Sequence, residues 1–269
     1  MTASFEKDLF YRAYETQIRG SIPLMMYYAW RWSKKTDAPS LPNILDRYID
    51  LWHKTIYYEN TIPSEMEFSH PVWTDIRSNI CTFYEHYGQE NNSRDFENSC
   101  LEYLWPFMEP RIFDDSRPLR KNKTRPYGAW TVTFRENNVM SVHIANIYRP
   151  DSVFDHPMDF AADLLYLIYD TCDQHPNLQT LFCGSWLNNL PPFQKFFPPE
   201  WVINLHRPVY HNDTHGIWGQ YITRTGGFHI KNAASLRERG FHRYPLIHGQ
   251  CSLPSAITYL ESEGWRTPR

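Results

Sequence analysis

Apolar residues recur every three or four positions through roughly the first hundred residues, then switch to alternation near residue 129. The first texture predicts helices. In 41–58, Leu41, Ile44, Leu45, Tyr48, Ile49, Trp52 and Ile56 form one apolar stripe, the mark of an amphipathic helix. Pro71 and Gly88 bracket a second helix, with Val72, Ile76, Ile80, Phe83 and Tyr87 keeping its period, because proline suits a helix start and glycine a helix stop. Segments 5–19, 22–34 and 94–108 read as further helices, the last ending near Pro106. The polar, proline-bearing run 109–126 reads as a linker or surface loop. Its RPLRKNKTR section is a short charge run, either a solvated loop or a phosphate-binding patch.

The second texture predicts strands alternating with helices. AWTVTFRENNVMSVHIAN (129–146) is two alternating runs around Glu136-Asn137-Asn138. Asparagine tolerates the positive φ of a tight hairpin turn, so a β-hairpin is expected. Met140, Val142 and Ile144 then share one face, and Ser141, His143 and Ala145 the other. A helix follows at 157–173, opened by Pro157 with Asp155 as cap. After it come a strand at 180–187, a short helix begun by Pro191-Pro192, and a strand near 202–210. Segment 233–240 reads as a helix stopped by Gly240, and a last helix runs from Ser252 to Gly264. The fold class is therefore α+β: a helical N-terminal domain over 1–120, then a mixed α/β domain over 121–269.

Composition narrows the function. With 27 Lys and Arg against 30 Asp and Glu, the net charge is −3. No basic field is present to attract nucleic acid. Cys81, Cys100, Cys172, Cys183 and Cys251 are odd in number and form no CxxC pair, which argues against a disulfide framework or a cysteine zinc site. The charged start MTASFEKDLFYRAYE lacks the apolar run of a signal peptide, and IPLMMYYAW is too short to span a bilayer. A soluble, cytoplasmic protein with no membrane partner is expected. Aromatics at 16%, with ten Trp and eighteen Tyr, fill a bulky core and can line pockets for flat ligands.

Two kinds of chemistry compete on the residues. Cys183-Gly184-Ser185-Trp186-Leu187 places two nucleophile types side by side. A serine elbow needs Gly-x-Ser-x-Gly for its sharp turn, and Trp186 and Leu187 do not supply it. Cys183 sits in an apolar run, where a thiol is inert. The histidines offer a different chemistry. His211-x-Asp213 has the spacing of two neighbouring ligands in a non-haem iron facial triad, with His248 as a third. The same turn also holds His215, and His229 and His242 lie downstream. Phosphate-cradling and dinucleotide-binding glycine motifs are absent.

The second half resembles the GNAT-like acyltransferases, which pair a helical N-terminal domain with a GNAT-type C-terminal domain. The resemblance spans about 125–263 and rests on an ordered series: Tyr127-Gly128-Ala129-Trp130, Val142-His143-Ile144, the helix at 157–173, Cys183-Gly184-Ser185-Trp186-Leu187, Phe197-Pro198-Pro199, Val202-Ile203-Asn204-Leu205, and the tail Cys251-Ser252-Leu253-Pro254-Ser255-Ala256-Ile257. Asn188-Asn189-Leu190 stands where a glycine-rich pyrophosphate loop is expected, and Trp201-Val202-Ile203 where the family carries Ser-Asn-Ile. The resemblance implies transfer of an acyl group from a CoA or carrier-protein thioester to an amine on a small or carrier-bound substrate. The thioester would lie between two splayed parallel strands, here 180–187 and 202–210. A backbone N–H would polarise its carbonyl and the amine would attack directly. On this reading His143 and His211 are candidate bases and Tyr210 a candidate acid. Ser185, Trp186, Asn188 and Asn189 would meet the acyl-CoA co-substrate, with the helix after Pro191 aimed at its pyrophosphate, and no metal is expected. Two alternatives stand beside it: an iron-dependent oxygenase using His211, Asp213 and His248, and a GNAT-shaped binding module without catalysis, as the missing glycine loop suggests.

Overall fold

A computed structural model describes residues 3–58, 67–89, 91–208 and 215–265. Its helices and strands run α1 (Ala3–Ser33), α2 (Leu41–Arg47), α3 (Pro71–Tyr87), α4 (Arg94–Asp115), β1 (Trp130–Arg135), β2 (Val139–Ile144), α5 (Pro157–Gln174), β3 (Thr180–Ser185), α6 (Pro191–Gln194), α7 (Pro199–Ile203), α8 (Ile230–Arg239), β4 (Ile247–Ser252) and α9 (Leu253–Ser262). The chain is mixed helix and sheet, as the two textures predict. It divides into two units: 1–117 with 212–243, and 118–211 with 244–269. The division differs from a single break at 120/121 by the segment 212–243, which clusters with the helical unit.

In the helical unit, the two helices expected at 5–19 and 22–34 are one helix, α1, which passes through Pro23. Ile18, Ile22, Met25, Met26 and Ala29 are all buried along it, so one continuous apolar stripe outweighs the N–H that Pro23 removes. Gly20 is needed on that helix because a Cβ there would sit 2.5 Å from the Phe228 ring. Likewise α4 continues past Pro106 and Pro110 to Asp115, so the expected linker begins later. The helix expected over 41–58 stops at Arg47. Ile49, Leu51 and Trp52 stay buried, but the chain carries them through a turn into a short 3-10 segment, Trp52–Lys54. Spacings of three and four do not separate these two paths.

In the other unit, the sheet of described residues has strand order β1-β2-β3-β4. β1 and β2 form the expected hairpin, in antiparallel register from Trp130↔Ile144 to Arg135↔Val139. Asn137 and Asn138 turn it, each with φ of 60°. α5 crosses over and delivers β3 parallel to β2, and β4 returns antiparallel on the far side of β3. Met140, Val142, Leu181, Cys183 and Cys251 point into a core closed by Phe160, Leu164 and Ile168 of α5 and by Ala256 and Leu260 of α9. Trp130 donates its indole N–H to the Phe160 carbonyl at 2.7 Å.

Two expectations fail here. The strand expected near 202–210 is the helix α7 followed by an isolated bridge at His206. Pro199 presets the helical φ, and the Glu200 carboxylate accepts from the Ser252 backbone N–H at 3.0 Å. Val202 and Ile203, which read as strand residues, lie on the outer side of α7 at 47% and 82% exposure. The parallel partner of β3 is therefore β2, not 202–210. Asp155 does not cap α5 but closes a capping box with Ser152 one turn earlier.

Candidate active site on the open face of the sheet

The ladder between β2 and β3 stops before the strands do. Its pairs are Val139↔Thr180, Met140↔Leu181 and Ser141↔Phe182, yet β2 runs to Ile144 and β3 to Ser185, each still paired on its outer side. His248 exchanges backbone bonds with His206 at 2.9 and 3.0 Å, so its N–H and C=O point away from β3. Backbone groups alternate along an antiparallel pair, so Gly184, opposite His248, turns its own N–H and C=O towards β2. The next rung, from Gly184 N–H to Val142 C=O, is not part of the ladder. Pairing between the two parallel strands thus ends here, which leaves a gap in the hydrogen-bond ladder between Val142–Ile144 and Cys183–Ser185.

Side chains on the open face surround this gap. His143, level with Gly184 when the register is continued, sits 2.8 Å from Thr133 Oγ1 through Nε2. His248 lies on the other side of Gly184. Its ring would be 3.2 Å from a Cβ at position 184, so any side chain there would crowd it. The Phe182 ring meets His248 at 4.9 Å between centroids and carries the Arg135 guanidinium at 4.0 Å on its face. Burial lowers the pKa of His143, and the Arg135 charge lowers it further. Burial does the same for His248, followed by His206 and Arg135. Both rings are therefore neutral at pH 7, the state in which an imidazole accepts a proton.

The other expected site residues divide into three groups. Tyr210, His211 and Asp213 lie outside the described residues. Ser185 and Asn188 are committed to local structure. Ser185 accepts the Leu187 N–H and so caps the 3-10 turn Trp186–Asn189. Asn188 is buried, donates to the Cys183 and Ile247 carbonyls at 2.9 Å each, and accepts from the Trp201 indole at 3.0 Å. Asn189 donates to the Trp186 and Pro245 carbonyls, and the Trp186 ring stacks on Tyr244. α6 has four residues, too short to build an anion site at its N-terminus. Lys121, from the basic run, pairs with the Asp163 carboxylate.

Sequence reasoning missed Gly184 and Arg135 as neighbours of His143, and His206 as a neighbour of His248. The hairpin register and the HIAN alternation place His143 and Arg135 on one face, but only the β3–β4 pairing brings the remaining residues to it. His248, expected with His211 and Asp213, stands here beside His206 and Gly184. The residues that group as metal-ligand types among those described are Asp50, His53 and His215, in the helical unit. No family model matches the chain, and no curated protein or solved structure matches it either.

Proposed function

We propose that the chain is a GNAT-like acyltransferase that holds an acyl thioester in the gap between β2 and β3. The supporting observation is the parallel pair whose ladder ends at Ser141↔Phe182 while both strands continue. Such a gap offers unpaired strand edges, and an extended acyl-pantetheine arm can bond to them as an added strand would. On this reading the backbone N–H groups of Ile144 and Gly184 are the donors available to the thioester carbonyl oxygen. The amine nitrogen attacks the carbonyl carbon, a C–N bond forms and the C–S bond breaks. His143 takes the proton the nitrogen sheds and releases it through solvent to the departing thiolate, so the transfer is proton-neutral. When Nε2 holds its proton and donates to Thr133, Nδ1 carries the lone pair that this requires.

The test is calorimetric titration with CoA and short- and long-chain acyl-CoA, followed by an amine acylation assay. The reading expects saturable binding to the wild-type chain. It expects G184V to fold, by circular dichroism, but to lose binding, since a side chain at 184 crowds the gap. H143A keeps binding and loses about a hundredfold in kcat. Absence of both binding and transfer in the wild-type chain, or unchanged binding by G184V, overturns the reading.

A further inference from the structure

Asp50, His53 and His215 bring one carboxylate and two imidazoles together inside the helical unit. One ligand atom of each lies within 4.8 Å of the other two. Asp50 and His53 come from the turn that follows α2, where the helix expected to continue has stopped. His215 opens the 3-10 segment His215–Tyr221. Trp218 of that segment donates its indole N–H to the Tyr48 carbonyl at 2.8 Å, which holds the two pieces of chain together.

His215 carries the strongest signal. Its Nε2 is shielded from solvent and has no hydrogen-bond partner among the described residues. A buried nitrogen without a partner is uncommon, and a neutral imidazole nitrogen that carries its lone pair is a common metal ligand. Across from it, His53 Nδ1 stands 3.0 Å from Asp50 Oδ1. Two ligands of one ion, each bonded at about 2.0–2.1 Å, are about 2.8–3.4 Å apart in octahedral or tetrahedral geometry. The His53 and His215 rings meet edge to face at 4.5 Å. Lys54 pairs with the same carboxylate at 2.9 Å, but through Oδ2, which leaves Oδ1 for an ion.

We propose that Asp50 Oδ1, His53 Nδ1 and Nε2 of His215 form a binding site for a divalent transition metal. Two imidazoles and a carboxylate suit zinc or ferrous iron, with one or more positions left for water or a ligand. The neighbouring Lys54 ammonium makes it a moderate-affinity site rather than a tight cage. None of its residues belongs to the gap between β2 and β3, so the two readings stand or fall separately.

The experiment uses the full chain, tag-free and stripped with EDTA. Zn(II) is titrated by calorimetry and Co(II) by visible absorption. The expected result is one equivalent bound with a dissociation constant of about 1–10 μM, and a Tm that rises with metal concentration. D50N and H215Q each weaken binding about tenfold or more, whereas H248Q binds as the wild type does. Because either ligand variant can fail to fold, the wild-type chain is also modified with diethyl pyrocarbonate with and without Zn(II). His53, the more exposed of the two rings, should be the histidine that zinc protects. A wild-type chain that takes up neither ion, leaving only the Asp50 ion pairs, overturns the proposal. So do unchanged affinity in D50N and protection that spares His53.

Discussion

His242 is enclosed by rings, with Tyr28 at 4.8 Å, Trp218 at 5.1 Å and Tyr221 at 5.8 Å between centroids. Its Nδ1 shares a hydrogen bond with the Tyr221 hydroxyl at 2.8 Å, and burial pushes its pKa down to about 3. The unfolded chain, with an ordinary histidine near pH 6.5, therefore binds more protons than the folded one between about pH 6.5 and 3. Stability is complete above that window and falls as pH drops through it, by up to about 1.4 kcal/mol per pH unit for this one group. His143, His215 and His248 are shifted in the same direction. Thermal melts from pH 7.5 to 4 should show Tm falling with acid. H242Q, which removes the titration, should flatten that slope even if it lowers the Tm at pH 7.5. Burial also bears on the cysteine question. Burial pushes the Cys183 thiol up to about 12, in line with an inert core residue. The sequence foretold this from the apolar run around it. His143 was equally legible, because alternation alone assigns its face. The role of Gly184 was not, because nothing local announces that a histidine from a strand more than sixty residues later will lie against it.

Elements show the same split between what is local and what is not. The Asn137-Asn138 hairpin, the Pro71–Tyr87 helix and the Gly240 stop are set by short-range chemistry, and the pattern finds each of them. β4 escapes detection because its alternation is broken at Gly249, where a Cβ would come within 2.3 Å of the Trp201 indole. α7 is misread as a strand because Val202 and Ile203 are apolar yet exposed. Asn188 joins these two misread pieces. Its amide ties the β3 and β4 carbonyls of Cys183 and Ile247 together and receives the Trp201 indole of α7. In N188L a side chain of similar size replaces it, and three buried polar groups lose a partner. Unpaired buried groups cost about 1–3 kcal/mol each and relax in part, so a net loss of about 3 kcal/mol is expected. Urea denaturation measures it as a lower midpoint at unchanged slope. If Asn188 instead served the co-substrate, N188L would keep its midpoint and lose acyl-CoA binding.

At the scale of the whole molecule, the chain completes its helical unit only after it has built most of the sheet. Residues 212–243 return to 1–117, and what they bring is specific. Arg237 on α8 grips the Glu97 carboxylate of α4 with its two terminal guanidinium nitrogens, at 3.0 and 2.5 Å, and the Glu97 side chain is only 6% exposed. Tyr27 on α1 donates its hydroxyl to the Arg237 carbonyl at 2.6 Å, and Trp218 reaches the Tyr48 carbonyl. Composition and periodicity place the domain boundary near residue 120, but they carry no sign that a later helix belongs with the first half. That assignment rests on contacts across a long stretch of sequence. A fragment cut at the apparent boundary should reveal it. Residues 1–120 alone lose the paired guanidinium that Arg237 brings to Glu97. They also uncover the surface that Ile217, Trp218, Tyr221 and Leu236 bury. Marginal stability does not survive that loss. The fragment should therefore melt without a cooperative transition by circular dichroism. A chain joining 1–117 to 212–243 through a flexible glycine-serine linker should regain a sigmoidal melt, and R237M in that chain should lower its midpoint. A cooperative transition in 1–120 at the midpoint of the joined chain would show that the helical unit is complete without α8.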